Sequence, residues 1–484
     1  MASAELWPVA KVGGLADAVG FLARALVRLG HEVRCALPGY RFLGESLPSG
    51  TVEVGRIEAD ALPGTARAVV RELEGPGLPA PLVVVEHPLL ERTGIYEEKA
   101  PGGEEGNRGH RWAAFCRAVW GWVEAGGFRP EVVHAHDHQA APLLGYLRWA
   151  ARSEAERPVL VFTIHNLGYQ GIVDRSWIRD AGLPETLAYP GGPLEYFGRV
   201  NLMKIGIEAA DMVTTVSPRY AEEIRSSAEF GMGLEGVLAR RADRLVGILN
   251  GVDTDAWNPA ADPHLRYRYG AHRLQGKGKN RAALRAELRL ARVEPDRPIL
   301  AFVGRLVEQK GVDLLLAIAE PVLGEGVELV VLGAGESRYE AALGEIAARW
   351  PGRCAVRTGF DEPLAHRIYA GADLLLMPSR YEPCGLGQMY ALLYGTIPVV
   401  RAVGGLADTV VDVDEDPERG NGFLFRLYEP PEFLKTVRRA IRLWRDRAFW
   451  RALVRRAMAS EFSWERAARL YVDCYERAGR GRSG

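Results

Sequence analysis

Pro298-Ile-Leu-Ala-Phe-Val-Gly-Arg-Leu-Val-Glu-Gln-Lys-Gly311 is the stretch from which the fold can be read. Its apolar first half, short and closed by Gly304, reads as a strand buried on both faces. Two cations, Arg305 and Lys310, follow before a second glycine. A parallel strand delivers what comes after it to the carboxyl edge of its sheet, where α/β proteins bind ligands. Arginine offers a planar fork and lysine a compact charge, a combination suited to a diphosphate. The other reading is a pair of solvated surface cations.

Similar runs lie on both sides. Val327-Glu-Leu-Val-Val-Leu, Leu374-Leu-Leu-Met and Ile397-Pro-Val-Val continue a series in the second half. Glu131-Val-Val-His-Ala-His, Val159-Leu-Val-Phe-Thr-Ile and Met212-Val-Thr-Thr-Val form one in the first, with helical stretches such as Trp112 to Ala125 and Val200 to Ala210 between them. Alternation of this kind predicts an α/β chain with two doubly wound parallel sheets, each covered by helices on both faces. The domains expected are 1–252, 253–461 and a helical tail, 462–484, that packs back on the first. The turn-rich Val252 to Pro263 marks the boundary and part of a hinge. Arg268 to Lys279, basic and aperiodic, reads as a mobile loop. Residues 1–10 hold no apolar run of strand length. Either the first strand is short or the start of the chain trims it, and the second is expected.

At 484 residues the chain is too long for one core, which agrees with two or three domains. Its 61 basic and 62 acidic side chains nearly cancel, arguing against non-specific nucleic-acid binding. Five scattered cysteines with no CxxC pair suggest neither a disulfide framework nor a zinc cluster, so a reducing cytoplasm is expected. There is no apolar run of about 18 residues for a membrane span, and no signal-peptide pattern at the start.

Several other segments could carry chemistry. Gly13-Gly14 before a helix lets backbone N–H groups approach an anion, with Lys11 as a nearby point charge; an ordinary tight turn fits equally well. Gly13-Gly-Leu-Ala-Asp17 recurs as Gly404-Gly-Leu-Ala-Asp408, one copy in each half. The repeat suggests two similar domains, each aiming a Gly-rich helix tip at a shared cleft. In Pro378-Ser-Arg-Tyr-Glu-Pro-Cys-Gly-Leu-Gly387, Glu382 reads as a carboxylate fixed in a cleft or as a helix-start acid, and these are compatible. Cys384 reads as a packing residue. His134-Ala-His-Asp-His138 has the look of a metal site, but it lies at a strand end where alternation fails, so Asp137 as a cleft-edge polar residue is preferred. His165-Asn166 ends another strand and faces the same edge.

Together these segments resemble the bacterial glycogen/starch synthase family. The resemblance rests on Lys11-Val-Gly-Gly-Leu, His134-Ala-His-Asp, Thr163-Ile-His-Asn-Leu-Gly-Tyr-Gln-Gly171, Thr214-Thr-Val-Ser-Pro-Arg-Tyr220 and Asn250-Gly-Val-Asp in the first half. In the second it rests on Gly304-Arg-Leu-Val-Glu-Gln-Lys-Gly311, Ser379-Arg-Tyr-Glu-Pro-Cys-Gly-Leu386 and Arg401-Ala-Val-Gly-Gly-Leu-Ala-Asp-Thr409. It implies the GT-B architecture, two Rossmann-like domains flanking a cleft. It also implies glucosyl transfer, with retention of configuration, from ADP-glucose to the non-reducing end of an α-1,4-glucan.

The catalytic residues implied are Glu382, His165, Asp137, Arg305 and Lys310, the last two holding the donor diphosphate. The donor-binding residues implied are Lys11, Gly13, Gly14, Asp17, Asn166, Asn250, Phe360, Tyr381, Cys384, Gly385, Leu386, Gly405, Leu406 and Thr409. Departures from the family pattern are Val12 in place of Thr or Ser, His-Gln after Asp137, and a short, weakly acidic segment at 101–110. Phe360 keeps the aromatic face expected to stack on adenine. No metal or other cofactor is expected: Asp412-Val-Asp414 reads as an acidic surface run, and the cations can neutralise the leaving group themselves. The rival readings are a GT-B transferase with a UDP-sugar or sucrose-linked reaction, and a silent glucan- or nucleotide-binding scaffold.

Overall fold

A computed structural model describes residues 1–91, 94–96, 109–126, 128–150, 157–291 and 296–481. The chain divides into two units, Met1–Gly251 with Trp464–Gly484, and Val252–Ser463. No described helix is long and apolar enough to cross a membrane.

In the second unit the strand Ile299–Val303 lies inside a six-stranded parallel sheet. Edge to edge the order is Cys354–Thr358, Glu328–Gly333, Ile299–Val303, Leu374–Met377, Ile397–Arg401, Phe423–Phe425. Helices such as Val312–Gly324 and Pro430–Trp444 bury apolar stripes on it, with Leu315, Ile318, Phe433 and Val437 at 0–1% exposure. Strands covered on both sides are predominantly apolar, which is why these segments stand out in the sequence.

The first unit holds two four-stranded sheets. One is ordered Cys35–Pro38, Leu82–Glu86, Ala68–Glu74, Val52–Ala59, and the other Leu245–Gly247, Met212–Thr215, Val159–Ile164, Val132–His136. A single residue joins them: Ala2 pairs in parallel with both Ala36 and Ala135. Its N–H reaches the His134 carbonyl at 2.9 Å, and its own carbonyl accepts from His136 N–H at 3.0 Å. On the other side Ala36 N–H donates to the Met1 carbonyl at 2.7 Å and Ser3 N–H to the Ala36 carbonyl at 3.2 Å. The sheet is also not wholly parallel. Ala68–Glu74 pairs antiparallel with both Val52–Ala59 and Leu82–Glu86, and the edge strand Val52–Ala59 is largely exposed. A strand with one wet face and a short return connection suits antiparallel pairing.

The tail helix Trp464–Arg480 packs in the first unit, with Trp464, Ala468 and Tyr471 in its core and Arg28 paired to Glu465 at 2.9 Å.

Three local readings need correction. Arg268 to Lys279 is not a loop throughout, since a helix begins at Gln275 and runs to Glu287. Its buried residues, Gly276, Asn280 and Leu284, are flanked by half-buried cations. The Lys277 ammonium donates to the Tyr394 carbonyl at 3.0 Å and to Thr396 Oγ1 at 2.9 Å. Arg281 meets Asp373 at 3.0 Å, and Arg285 meets Glu328 at 2.7 Å. Burial lowers the Lys277 ammonium to about 7.

The Val252 to Pro263 segment does not straddle the boundary but lies within the second unit, which begins at Val252. Trp257 lies stacked between His366 and Tyr390, with ring centroids 3.7 and 3.8 Å away. Asp262, fully buried, accepts from the Tyr394 hydroxyl at 2.6 Å and meets His366 Nδ1 at 2.8 Å.

Asp412 is 3% exposed and clamped by Arg439, whose Nη1 lies 2.9 Å from Oδ1, so this stretch is a structural ion pair and not a solvated acidic run.

Candidate active site

In the second unit the loop after Ile299–Val303 and the loop after Leu374–Met377 interlock through backbone. Gly311 has φ +72°, and a Cβ there would lie 1.9 Å from the Pro378 carbonyl oxygen. Only glycine meets both conditions. Arg380 N–H donates to the Gln309 carbonyl at 2.9 Å, and Gln309 Nε2 donates to the Tyr381 carbonyl at 3.4 Å.

The result is a fixed ion pair. Lys310 Nζ lies 2.6 Å from Glu382 Oε2, and the Ser379 hydroxyl donates to the same oxygen at 3.0 Å. The lysine side chain keeps 21% of its surface and the glutamate 7%. Arg305, on the same loop, is exposed and donates to Gln309 Oε1 at 3.0 Å. The loop thus presents one cation already paired with a carboxylate and a second with surface open to an incoming anion.

The Gly404-Gly405 pair closes the other side of Glu382. Cβ atoms there would lie 2.0 Å from the Glu382 carbonyl oxygen and 1.9 Å from that of Cys384. Gly405 N–H donates to the Glu382 carbonyl at 3.1 Å. Gln388, fully buried, donates through Nε2 to the carbonyls of Cys384 and Gly385 and to Thr409 Oγ1 at 2.8–3.1 Å. The Thr409 hydroxyl itself donates to the Gly405 carbonyl at 2.6 Å. Leu406 is fully buried and Thr409 5% exposed, so both brace the loop. Cys384 is buried and in no disulfide, consistent with packing. Leu386 precedes the helix Gly387–Leu393, and Tyr381 is half-buried. Phe360 is 88% exposed. It sits between the strand end Cys354–Thr358 and Asp361, whose carboxylate caps the next helix by accepting Leu364 N–H at 2.8 Å, so its ring face is held out in solvent.

In the first unit Asp137 opens the helix Asp137–Trp149 at φ +56°, a left-handed conformation rare outside glycine and concentrated at functional sites. Its Oδ1 accepts the His165 backbone N–H at 2.8 Å. Burial raises its carboxyl to about 7 against the pull of the His165 and Asn166 amides. Burial also lowers the His165 imidazole to about 3 and His138 to about 4. The histidine run is not a chelating face. His134 contacts the Tyr475 hydroxyl at 2.9 Å and Thr163 Oγ1 at 2.5 Å, His136 contacts His165, and His138 has left the strand for the helix. Among the described residues no group of three or more His, Cys, Asp or Glu could hold a metal ion. Asn250 is 8% exposed, and its buried Oδ1 has no partner among the described residues.

The Gly13-Gly14 loop differs from its echo. Here Gly13 is at φ −143°, and a Cβ would meet nothing closer than 3.9 Å. The N–H groups of Val12 and Gly13 are already taken, at 2.7 and 2.8 Å, by the carboxylate of Glu5, which is 2% exposed and also accepts from the Tyr96 hydroxyl. Lys11, 40% exposed, pairs with Asp17 at 2.9 Å. The loop therefore carries an internal anion where a ligand's anion was expected, leaving the lysine and the later N–H groups for a ligand. Glu5 and Gln388 escaped the sequence reading and left no local signal there; Ser379 and His136 stood inside quoted motifs, His136 weighed only as a metal ligand. Most of the 101–110 segment, residues 101–108, lies outside the described residues.

Residues 1–240 match the family described as starch synthase catalytic domain, and residues 297–442 match glycosyl transferases group 1. A glycogen synthase of Anaeromyxobacter dehalogenans (strain 2CP-1) is 44% identical across 99% of both chains. One from Moorella thermoacetica is 41% identical over 99% of this chain and 96% of its own. Among solved structures, the catalytic domain of starch synthase IV from Arabidopsis thaliana, bound to ADP and acarbose, superposes with a TM-score of 0.89 at 35% identity. That alignment covers 99% of this chain and 98% of the other. Sucrose-phosphate synthase from Thermosynechococcus elongatus, at a TM-score of 0.61 and 19% identity over 99% and 98% of the two chains, shares the fold.

Proposed function

The chain belongs to the bacterial glycogen/starch synthase family of GT-B glucosyltransferases, and on that premise we propose that it transfers glucose from ADP-glucose to the non-reducing end of an α-1,4-glucan without a metal ion. The carrying observation is the Lys310–Glu382 pair, 2.6 Å long and largely shielded, with Arg305 open beside it on one loop.

The reaction breaks the bond between the anomeric carbon and the donor phosphate and forms one to the acceptor's 4-hydroxyl oxygen on the same face. The acceptor proton leaves with the phosphate. Positive charge develops at the anomeric carbon while negative charge grows on the departing diphosphate. Arg305 and Lys310 neutralise the second, which gives a metal no necessary task. Glu382 fixes the lysine and takes donor glucose hydroxyls through its remaining oxygen. In the first unit, His165, Asp137 and Asn166 serve the sugar, and Asn250 has an unmet acceptor for a hydroxyl proton. Phe360 supplies a face for adenine, and the starch synthase solved with ADP and acarbose supports an adenine nucleotide and a glucan. A cytoplasmic setting fits a soluble sugar nucleotide as donor.

The test is initial-rate transfer onto glycogen with ADP-glucose and UDP-glucose, with and without EDTA. The reading predicts a clear preference for ADP-glucose and full activity under chelation. Equal use of UDP-glucose would refute the donor assignment, and loss in EDTA reversed by Mg²⁺ would refute metal independence.

A further inference from the structure

His136 and His165 stand at the ends of neighbouring parallel strands, where the registers of Val132–His136 and Val159–Ile164 pair. His136 Nδ1 lies 3.0 Å from His165 Nε2, with ring centroids 5.2 Å apart. His136 is 1% exposed, and its Nε2 is buried with no partner among the described residues. Its ring lies 4.0 Å from that of His134, which is itself fixed by Tyr475 and Thr163. Burial, reinforced by the neighbouring histidines, holds His136 well below the usual imidazole range, and burial lowers His165 to about 3. Both rings are therefore neutral at working pH.

Two neutral imidazoles share a hydrogen bond only if one donates and the other accepts. Suppose His165 donated from Nε2. The single proton of His136 would then sit on its own Nε2, as a sealed N–H without an acceptor, which folded proteins very rarely tolerate. If His136 donates from Nδ1, the unmet atom is a bare nitrogen and the single N–H of His136 has its partner. The proton of His165 is then on its Nδ1, since a histidine's tautomer is set by the bond its other nitrogen makes.

We propose that His136 is a positioning residue whose Nδ1–H···Nε2 bond locks His165 in the Nδ1–H tautomer, so that His165 meets the glucosyl group as a hydrogen-bond donor and not as a base. The second clause rests on the reading of His165 as a sugar-site residue. A fixed donor accepts only an oxygen lone pair at that point. A bare nitrogen there would take a hydroxyl proton instead.

The experiment uses the full chain carrying ¹⁵N-labelled histidine, with His165 assigned by its loss in His165→Asn. The expected spectrum shows a protonated Nδ1 and a bare Nε2. In His136→Asn the side-chain amide can still donate, so the tautomer persists and turnover stays within about fivefold of the parent. In His136→Leu the donor is gone; protonated Nε2 appears, and kcat falls at least about tenfold while KM for the donor moves by less than about threefold. A parent spectrum with the proton on His165 Nε2 overturns the proposal even if the leucine variant does not fold. A folded leucine variant with unchanged tautomer and kcat overturns it as well. A parent chain that moves no glucose from any nucleotide donor overturns the sugar-site premise instead, and that result is separate from the spectrum.

Discussion

Replacing Lys310 with alanine removes the cation 2.6 Å from Glu382 Oε2 and leaves a carboxylate with 7% of its side chain exposed. The Ser379 hydroxyl remains at 3.0 Å but carries no charge. Breaking a fully buried pair costs about 3–5 kcal/mol, and an exposed pair is worth about 0–1 kcal/mol. The lysine is 21% exposed, so the cost falls between these limits, at about 2 kcal/mol. For a domain of this size that lowers Tm by roughly 4–8 °C. Turnover should fall about 100-fold or more, because a phosphate-facing cation acts on charge that develops in the transition state. The two effects separate in Lys310→Ala/Glu382→Gln. Removing the stranded charge should return more than half of the lost Tm, a coupling of about 1–2 kcal/mol in the cycle, while transfer stays low. Thermal unfolding by tryptophan fluorescence and initial rates of nucleotide release read the two quantities. Additive Tm changes across the cycle would show that the pair is not coupled. Near-parental turnover in Lys310→Ala would remove the diphosphate clamp from the mechanism.

Arg305→Ala should leave unfolding unchanged within about 0.5 kcal/mol, since an exposed side chain away from the core carries little stability, yet transfer should drop about 100-fold; a normal rate would assign the arginine to the surface. Glu5→Ala strips the acceptor from the Val12 and Gly13 amides and should cost about 1–3 kcal/mol, with faster hydrogen exchange at those two positions; unchanged exchange would contradict the internal-anion reading. Acid should destabilise the fold through His165. Between the free value of 6.5 and the folded value of about 3, the unfolded chain holds a proton that the folded chain lacks. Stability therefore falls as pH drops through that window, by about 1.4 kcal/mol per unit, and His165→Asn should flatten the limb in pH-dependent urea unfolding. Asp137 acts in the opposite sense. Raised from 3.8 to about 7, its folded carboxyl keeps a proton that the unfolded chain has lost, so stability falls as pH rises through that window. Asp137→Asn should accordingly gain stability near neutral and alkaline pH, with the gain vanishing below the free value.

Much of this was legible in the residues. Leu374–Met377 and Val159–Ile164 coincide with the strands read from sequence, because parallel strands buried on both faces are short runs of almost wholly apolar residues. Arg305 and Lys310 could be placed at a sheet's carboxyl edge because the strand before them was unmistakable. The helix Gln275–Glu287 was missed for the converse reason. Beside its buried Gly276, Asn280 and Leu284 stand half-buried cations, Lys277 on the Tyr394 carbonyl and Arg281 and Arg285 on Asp373 and Glu328, so charge that reads as solvated loop is partnered within the fold.

By itself the amino-acid order determined the α/β class, the two-unit plan and the residue types available for phosphate and sugar, since these follow from local periodicity and from what each side chain can bond. Only the tertiary structure decided the pairings. Lys310 meets Glu382 across 72 residues, Glu5 fills the Gly13 loop, and His136 faces His165 from the next strand 29 residues on. Partnership across a sheet edge depends on which strands become neighbours and in what register, and no periodicity along the chain carries that information.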